Sequence, residues 1–186
     1  MKVAETTLPG VLIIEPRVFP DGRGYFYETY NRKRYSEHGI NNEFVQDNLS
    51  YSVKDTLRGL HYQSPHSQAK LVQVLSGEVF DVAVDIRVDS PAFGKWMGII
   101  LSSENKKQLF IPRGFAHGFC VLSDTAIFSY KCDDYYAPNC EGGILWSDPA
   151  IGVEWPVKAQ LLSDKDVINP CLKDISRERL PVFSSI

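Results

Sequence analysis

The decapeptide Glu78-Val-Phe-Asp-Val-Ala-Val-Asp-Ile-Arg87 decides the fold class. Its even positions, Phe80, Val82, Val84 and Ile86, are apolar, whereas its odd positions include Asp81, Asp85 and Arg87. Side chains alternate faces along a strand, so this period of two predicts a half-buried antiparallel strand. Ser76-Gly77 just before it reads as a tight turn from an apolar strand at 71–75. Working outward, short runs rich in Val, Ile, Phe and Tyr are separated by Gly, Pro, Asn and Asp. They predict further strands at 11–15, 24–30, 44–50, 57–63, 96–102, 108–111, 118–122 and 126–132. Helix signal is confined to a polar stretch at 31–38 that stops at Gly39, and to a short helix or two in the tail from Leu161. Many strands with little helix predict an all-β sandwich, jelly roll or barrel, as one domain over residues 1–186.

The chain carries 20 Lys and Arg against 23 Asp and Glu, a formal net charge of −3. That balance argues against general nucleic-acid binding and leaves room for a local basic pocket. No apolar run is long enough to cross a bilayer, and the first ten residues lack the apolar core of a signal peptide. A cytoplasmic protein with no nucleic-acid or membrane partner is expected. Cys120, Cys132, Cys140 and Cys171 form no CxxC pair. They are expected as reduced thiols, with Cys120 and Cys132 buried in apolar runs.

Two strings carry chemistry. Arg58-Gly-Leu-His-Tyr-Gln63 puts an arginine and a histidine in one strand, and Phe110-Ile-Pro-Arg-Gly-Phe-Ala-His-Gly-Phe119 adds a second histidine. Alone, His61 reads as a strand histidine satisfied by a neighbouring carbonyl. Arg58, Lys70 and His117 on or beside predicted strands shift that reading, because charged groups are buried mainly when paired or ligand-bound. Histidine among cations suits acid–base work on an anionic substrate. Strand parity sets Arg58 and His61 on opposite faces unless a bulge intervenes, and Gly59 is its natural place. Lys70 fits a snorkelling rim lysine and Tyr130 a core tyrosine, while His117 fits a turn-bonding histidine equally well. Arg23, in Asp21-Gly-Arg-Gly24, fits a hairpin tip or a phosphate fork; Glu28, Gln46 and Asn48 fit a solvated sheet face. No P-loop or GxGxxG turn is present, and glutamine at 63 leaves no His-x-His pair, so a bound metal is disfavoured.

Long motifs in a fixed order then carry a resemblance. They include Phe44-Val-Gln-Asp-Asn48, Leu57-Arg-Gly-Leu-His-Tyr-Gln63, Lys70-Leu-Val72, the decapeptide above, Ser90-Pro-Ala-Phe-Gly94 and the segment 109–119. Farther on come Glu141-Gly-Gly-Ile-Leu-Trp-Ser-Asp-Pro149, Ile151-Gly-Val-Glu-Trp-Pro156 and Leu162-Ser-Asp-Lys-Asp166. From about Val11 to Leu172 the chain resembles the dTDP-4-dehydrorhamnose 3,5-epimerases, a metal-free branch of the cupins. The resemblance implies an all-β, cupin-type antiparallel β-jelly roll with a few short peripheral helices. It implies an isomerase without cofactor or metal that inverts C3 and C5 of a dTDP-linked 4-keto-6-deoxy-hexose, on the route to dTDP-L-rhamnose. His61 would be the base oriented by Asp166, Tyr130 the opposing acid, Lys70 the group near the C4 oxygen, and Tyr136 the stack on thymine. Arg23, Glu28, Gln46, Asn48, Arg58, His117, Glu141 and Lys165 match substrate-contact positions. A homodimer with exchanged N-terminal strands is also implied. Gly142-Gly143 and Ser147 depart from otherwise matching motifs, and regiospecificity stays open: an epimerase of one carbon remains the alternative, a metal-dependent cupin a more distant one.

Overall fold

A computed structural model describes residues 1–157 and 160–183. In chain order the strands are β1 (Lys2–Glu5), β2 (Leu12–Glu15), β3 (Val18–Asp21) and β4 (Gly24–Tyr27), followed by helix α1 (Arg32–Ser36). Then come β5 (Gln46–Val53), β6 (Leu57–Gln63), β7 (Lys70–Ser76), β8 (Glu78–Asp85) and β9 (Trp96–Ser102). The last are β10 (Gln108–Ile111), β11 (Phe115–Val121), β12 (Thr125–Cys132), β13 (Glu141–Gly143) and helix α2 (Asp164–Val167). One sheet runs β1-β2-β10-β7-β12-β5, and a second runs β13-β6-β11-β8-β9. A separate hairpin pairs β3 with β4. Every ladder pairing is antiparallel, and the two large sheets face each other as a cupin-type jelly roll.

Three apolar layers hold this arrangement. Between the sheets lie Val72, Val74, Val79, Ala83, Leu101, Leu109, Phe119 and Phe128. Outside the five-stranded sheet, Leu60, Val82, Val84, Ile86 and Ala116 pack under Ile144, Ile151, Leu172 and Leu180 of the C-terminal segment. Outside the six-stranded sheet, Ile14, Leu71 and Phe110 pack under Tyr35 of α1 and Ile40. Tyr35 Oη donates to Gln108 Oε1 at 2.6 Å, which ties α1 to the buried end of β10.

This layering corrects the reading of β8. Its even residues do form an apolar face, but its odd ones are not solvated: Asp81 and Asp85 are fully buried and Arg87 is 6% exposed. The even face meets the C-terminal segment and the odd face meets the space between the sheets. A covered strand shows the same alternation as a half-exposed one, so periodicity alone could not distinguish them. Asp85 is satisfied by Arg87 and Ser90.

The turn before β8 is as expected. Gly77 has φ +80, and a Cβ there would lie 2.1 Å from Thr125 O. Most strand positions hold, with shifted ends: the strand expected at 24–30 stops at Tyr27, that at 44–50 becomes Gln46–Val53, and that at 118–122 starts at Phe115. β1, β3 and β13 were not anticipated. The 31–38 helix is Arg32–Ser36, capped by the Asn31 side chain, and the tail holds α2 with short 3-10 turns at Leu172–Asp174 and Arg177–Arg179.

Candidate active site

The Gly59 bulge brings the first string together. β6 and β11 pair Arg58 with Phe119 and His61 with His117, so three steps on β6 match two on β11. One extra residue lies in β6, and it turns Arg58 and His61 to the same face. Gly59 has φ +135, and a Cβ there would lie 2.5 Å from Gly118 Cα. Only glycine fits that close approach and that backbone.

Arg58, His61, Lys70, His117, Tyr130, Lys165 and Asp166 line one cavity of about 430 Å³, walled by strands of both large sheets and by α2. An adjoining cavity of about 240 Å³ shares His61, Lys70 and Tyr130 and adds Gln46, Asn48, Tyr136 and Glu141. Eleven of the thirteen expected site residues thus gather at one place. Arg23 and Glu28 do not. Arg23 sits exposed on the β3–β4 turn against Asp21, and Glu28 bonds Asn31 and Arg34 beside a different cavity.

His61 Nε2 lies 2.5 Å from Asp166 Oδ1. Asp166 stands in α2, whose N-cap Ser163 accepts a hydrogen bond from the Asp166 N–H. Burial pushes the Asp166 carboxyl up, but the hydrogen bond and charge of His61, with Ser163 and the Gly59 N–H, hold it below its ordinary range. A carboxylate so held keeps the imidazole oriented.

Lys70 opens β7 and its Nζ lies 5.8 Å from the Tyr130 ring centroid. It lines both cavities rather than snorkelling at a rim. Burial pushes its pKa down, while Cys132, Asp81 and Glu141 push it back up. Burial, with Cys132 beside it, also raises the Tyr130 phenol against the pull of Arg58, so the phenol holds its proton. Cys132 and Cys120 are buried free thiols, pushed up by burial to about 11 and about 12, which makes them poor nucleophiles.

At the far end of the smaller cavity Tyr136 Oη donates to Glu141 Oε2 at 2.9 Å, and Lys165 forms an ion pair with the same carboxylate. That contact raises Tyr136 and Lys165; burial pushes Glu141 up, but Lys165 and Tyr136 outweigh it. Gln46 Oε1 accepts from the Tyr136 N–H and Gln46 Nε2 donates to Asn48. Among the described residues, no three or more His, Cys, Asp or Glu side chains gather as a metal-binding group. Sequence reasoning missed Asp81, Ser52 and Ser163. Asp81 lies 2.9 Å from His117 Nε2, Ser52 Oγ accepts from Arg58 Nε, and Ser163 caps α2. Asp81 was visible in the sequence as one of the acids at odd positions of β8.

Chemically, the site sets a histidine–carboxylate pair, a buried cation and a protonated phenol around one space. Known proteins share this chain's pattern. Residues 5–174 match the family described as dTDP-4-dehydrorhamnose 3,5-epimerase. The chain is 60% identical over 169 residues to the dTDP-4-dehydrorhamnose 3,5-epimerase of Shigella flexneri, covering 90% of this chain and 93% of that protein. It superposes with a TM-score of 0.96 on the Legionella pneumophila dTDP-6-deoxy-D-glucose-3,5-epimerase solved in complex with dTDP-4-keto-L-rhamnose, at 53% identity and covering 98% of both chains. More distant is ChmJ, a 3′-monoepimerase from Streptomyces bikiniensis, at 31% identity and TM-score 0.89, covering 96% of this chain and 92% of that one. Fold and matched length agree: the chain belongs to the dTDP-4-dehydrorhamnose 3,5-epimerase family.

Proposed function

We propose that this chain inverts C3 and C5 of dTDP-4-dehydro-6-deoxy-D-glucose to give dTDP-4-dehydro-L-rhamnose, without a metal or redox cofactor. The observation that carries this reading is the His61–Asp166 pair at 2.5 Å in the same cavity as Lys70 and Tyr130. C3 and C5 both flank the C4 ketone, so removing either proton leaves an enolate. His61 takes the proton, and Asp166 stabilises the resulting imidazolium. Negative charge then grows on the C4 oxygen, where the Lys70 ammonium offsets it in a site shielded from water. Inversion needs a proton from the other face, and the Tyr130 phenol supplies it. At each of the two carbons one C–H bond is broken and one remade on the opposite face. Exchange with solvent then removes the proton from His61 and returns one to Tyr130.

The nucleotide belongs in the smaller cavity, with thymine on Tyr136 and with Gln46, Asn48, Glu141 and Lys165 around the remaining polar groups. Arg58 and His117 suit the anionic part of the substrate. Arg23 and Glu28 act from a second copy of the chain, in a homodimer with exchanged N-terminal strands. Their distance from the cavities of their own chain supports that reading. The 1–186 chain works as one cytoplasmic jelly-roll domain.

Incubation of the 4-keto substrate in deuterium oxide tests the reading. Deuterium is expected at C3 and C5 with the wild type and at neither with a folded His61→Ala. Unchanged exchange in His61→Ala overturns it. Similarity to ChmJ makes single-site inversion the second reading, for which deuterium would enter one carbon only.

A further inference from the structure

One acid inside the site has no role in the scheme above. Asp81 on β8 is fully buried, and its carboxylate oxygens lie 3.1 and 2.9 Å from Nε2 of His117. An ionised carboxylate only accepts hydrogen bonds, so Nε2 carries the hydrogen and one tautomer is selected. His117 is the cross-strand partner of His61, so two histidine–carboxylate couples stand side by side on adjacent strands. They differ in access to solvent: the His61 side chain is 32% exposed and the His117 side chain 8%. Phe128 stacks on the His117 ring with centroids 6.0 Å apart, which further immobilises it. The exposed couple is placed to exchange protons, and the enclosed one to stay put.

The charge of Asp81 reaches farther than His117. It is one of three groups that oppose the effect of burial on Lys70. Around Lys70 stand Tyr130 and Cys132 from β12, His61 and Arg58 from β6, His117 from β11, Asp81 from β8 and Glu141 from β13. Tyr136, with Asp166 and Lys165 of α2, completes the ionisable lining. A buried carboxylate is stable only beside positive charge, and a buried ammonium only beside negative charge. Asp81 lies on the wall behind His117, where it can meet both needs without touching substrate.

We propose that Asp81 is a positioning residue that fixes the His117 imidazole and places a buried negative charge behind the wall of the cavity that His117 shares with Lys70, where the enolate oxygen develops. The inference rests on the epimerase reading, so wild-type deuterium exchange is measured first and tests that reading alone. Asp81→Asn then keeps the shape and removes the charge. Its kcat for exchange is expected to fall roughly 10- to 100-fold. The dissociation constant for thymidine, which lacks the anionic part assigned to Arg58 and His117, is expected to change less than about threefold. The alkaline limb of kcat moves to lower pH, since Lys70 releases its proton more readily without the neighbouring charge. A purely structural aspartate would lower kcat without moving that limb, and that result overturns the proposal, as does an unchanged kcat. A measurement on the wild type guards against a variant that does not fold. In nitrogen-15 spectra of histidine-labelled protein His117 should carry its hydrogen on Nε2, and a hydrogen on Nδ1 alone overturns the proposal.

Discussion

Lys70 is held against its own preference. Burial lowers its pKa in the fold below that of the unfolded chain, so the folded protein gives up this proton more easily. Stability therefore rises as pH climbs through the window between the folded and unfolded values, and below that window the buried ammonium subtracts from it. Lys70→Met should raise the melting temperature, by ~3 °C for about 1 kcal/mol, while kcat for exchange falls roughly 10²- to 10³-fold. Calorimetry alongside the exchange assay checks both halves. Asp166 carries the opposite sign. Its folded pKa is depressed, so it contributes stability that is complete above the unfolded carboxyl value and lost as pH falls through the folded one. Urea midpoints measured from pH 6 down to pH 3 should decline less steeply in Asp166→Asn than in the wild type. At this scale the sequence was legible unevenly. His61 and Arg58 could be argued from charge within a strand, whereas Asp166 lies 105 residues from His61 and only resemblance linked the two. Asp81 was misread because a carboxylate paired inside the fold and one facing water produce the same alternation.

At the scale of elements, the bulge in β6 decides whether the site exists. Parity alone flagged it, because two functional side chains three residues apart in a strand cannot share a face without an inserted residue. Gly59→Ala adds a Cβ 2.5 Å from Gly118 Cα at a φ of +135. It should destabilise by about 2–4 kcal/mol, seen as a lower urea midpoint. The kcat of whatever remains folded should fall as well, since re-registering β6 turns His61 away from Asp166. A substituted strand that kept full activity would show that the bulge only relieves packing. The unanticipated elements have a common physical reason. β1, β3 and β13 are only three or four residues long, too short for their local sequence to carry a clear period. The long interior strands, apolar on at least one face, were legible to within two or three residues.

At the scale of the molecule, an apolar surface is left over. Leu49, Tyr51 and Val53 point outward from edge strand β5 and are 65%, 60% and 47% exposed, while Phe19, Tyr25 and Phe26 project from the β3–β4 hairpin. An uncovered edge strand with an apolar face is the kind of surface a second subunit covers. If Arg23 serves the partner's cavity, His61→Ala and Arg23→Ala homodimers are each inactive by themselves. Mixed and allowed to exchange subunits, they should recover about a quarter of wild-type activity, because half the dimers then hold one intact site. No recovery after proven subunit exchange would assign Arg23 elsewhere.

The 105 residues between His61 and Asp166 also bear on how the chain finds its fold. β6 must pair with β11, and α2 must dock against β6, before His61 and Asp166 meet. Loop closure over such separations is slow, and chains dominated by distant pairings fold in milliseconds to seconds. During refolding, tryptophan fluorescence can recover once the sheets collapse, while turnover awaits the tail. Regained exchange activity is thus a clock for the final docking step, and it should lag the optical signal.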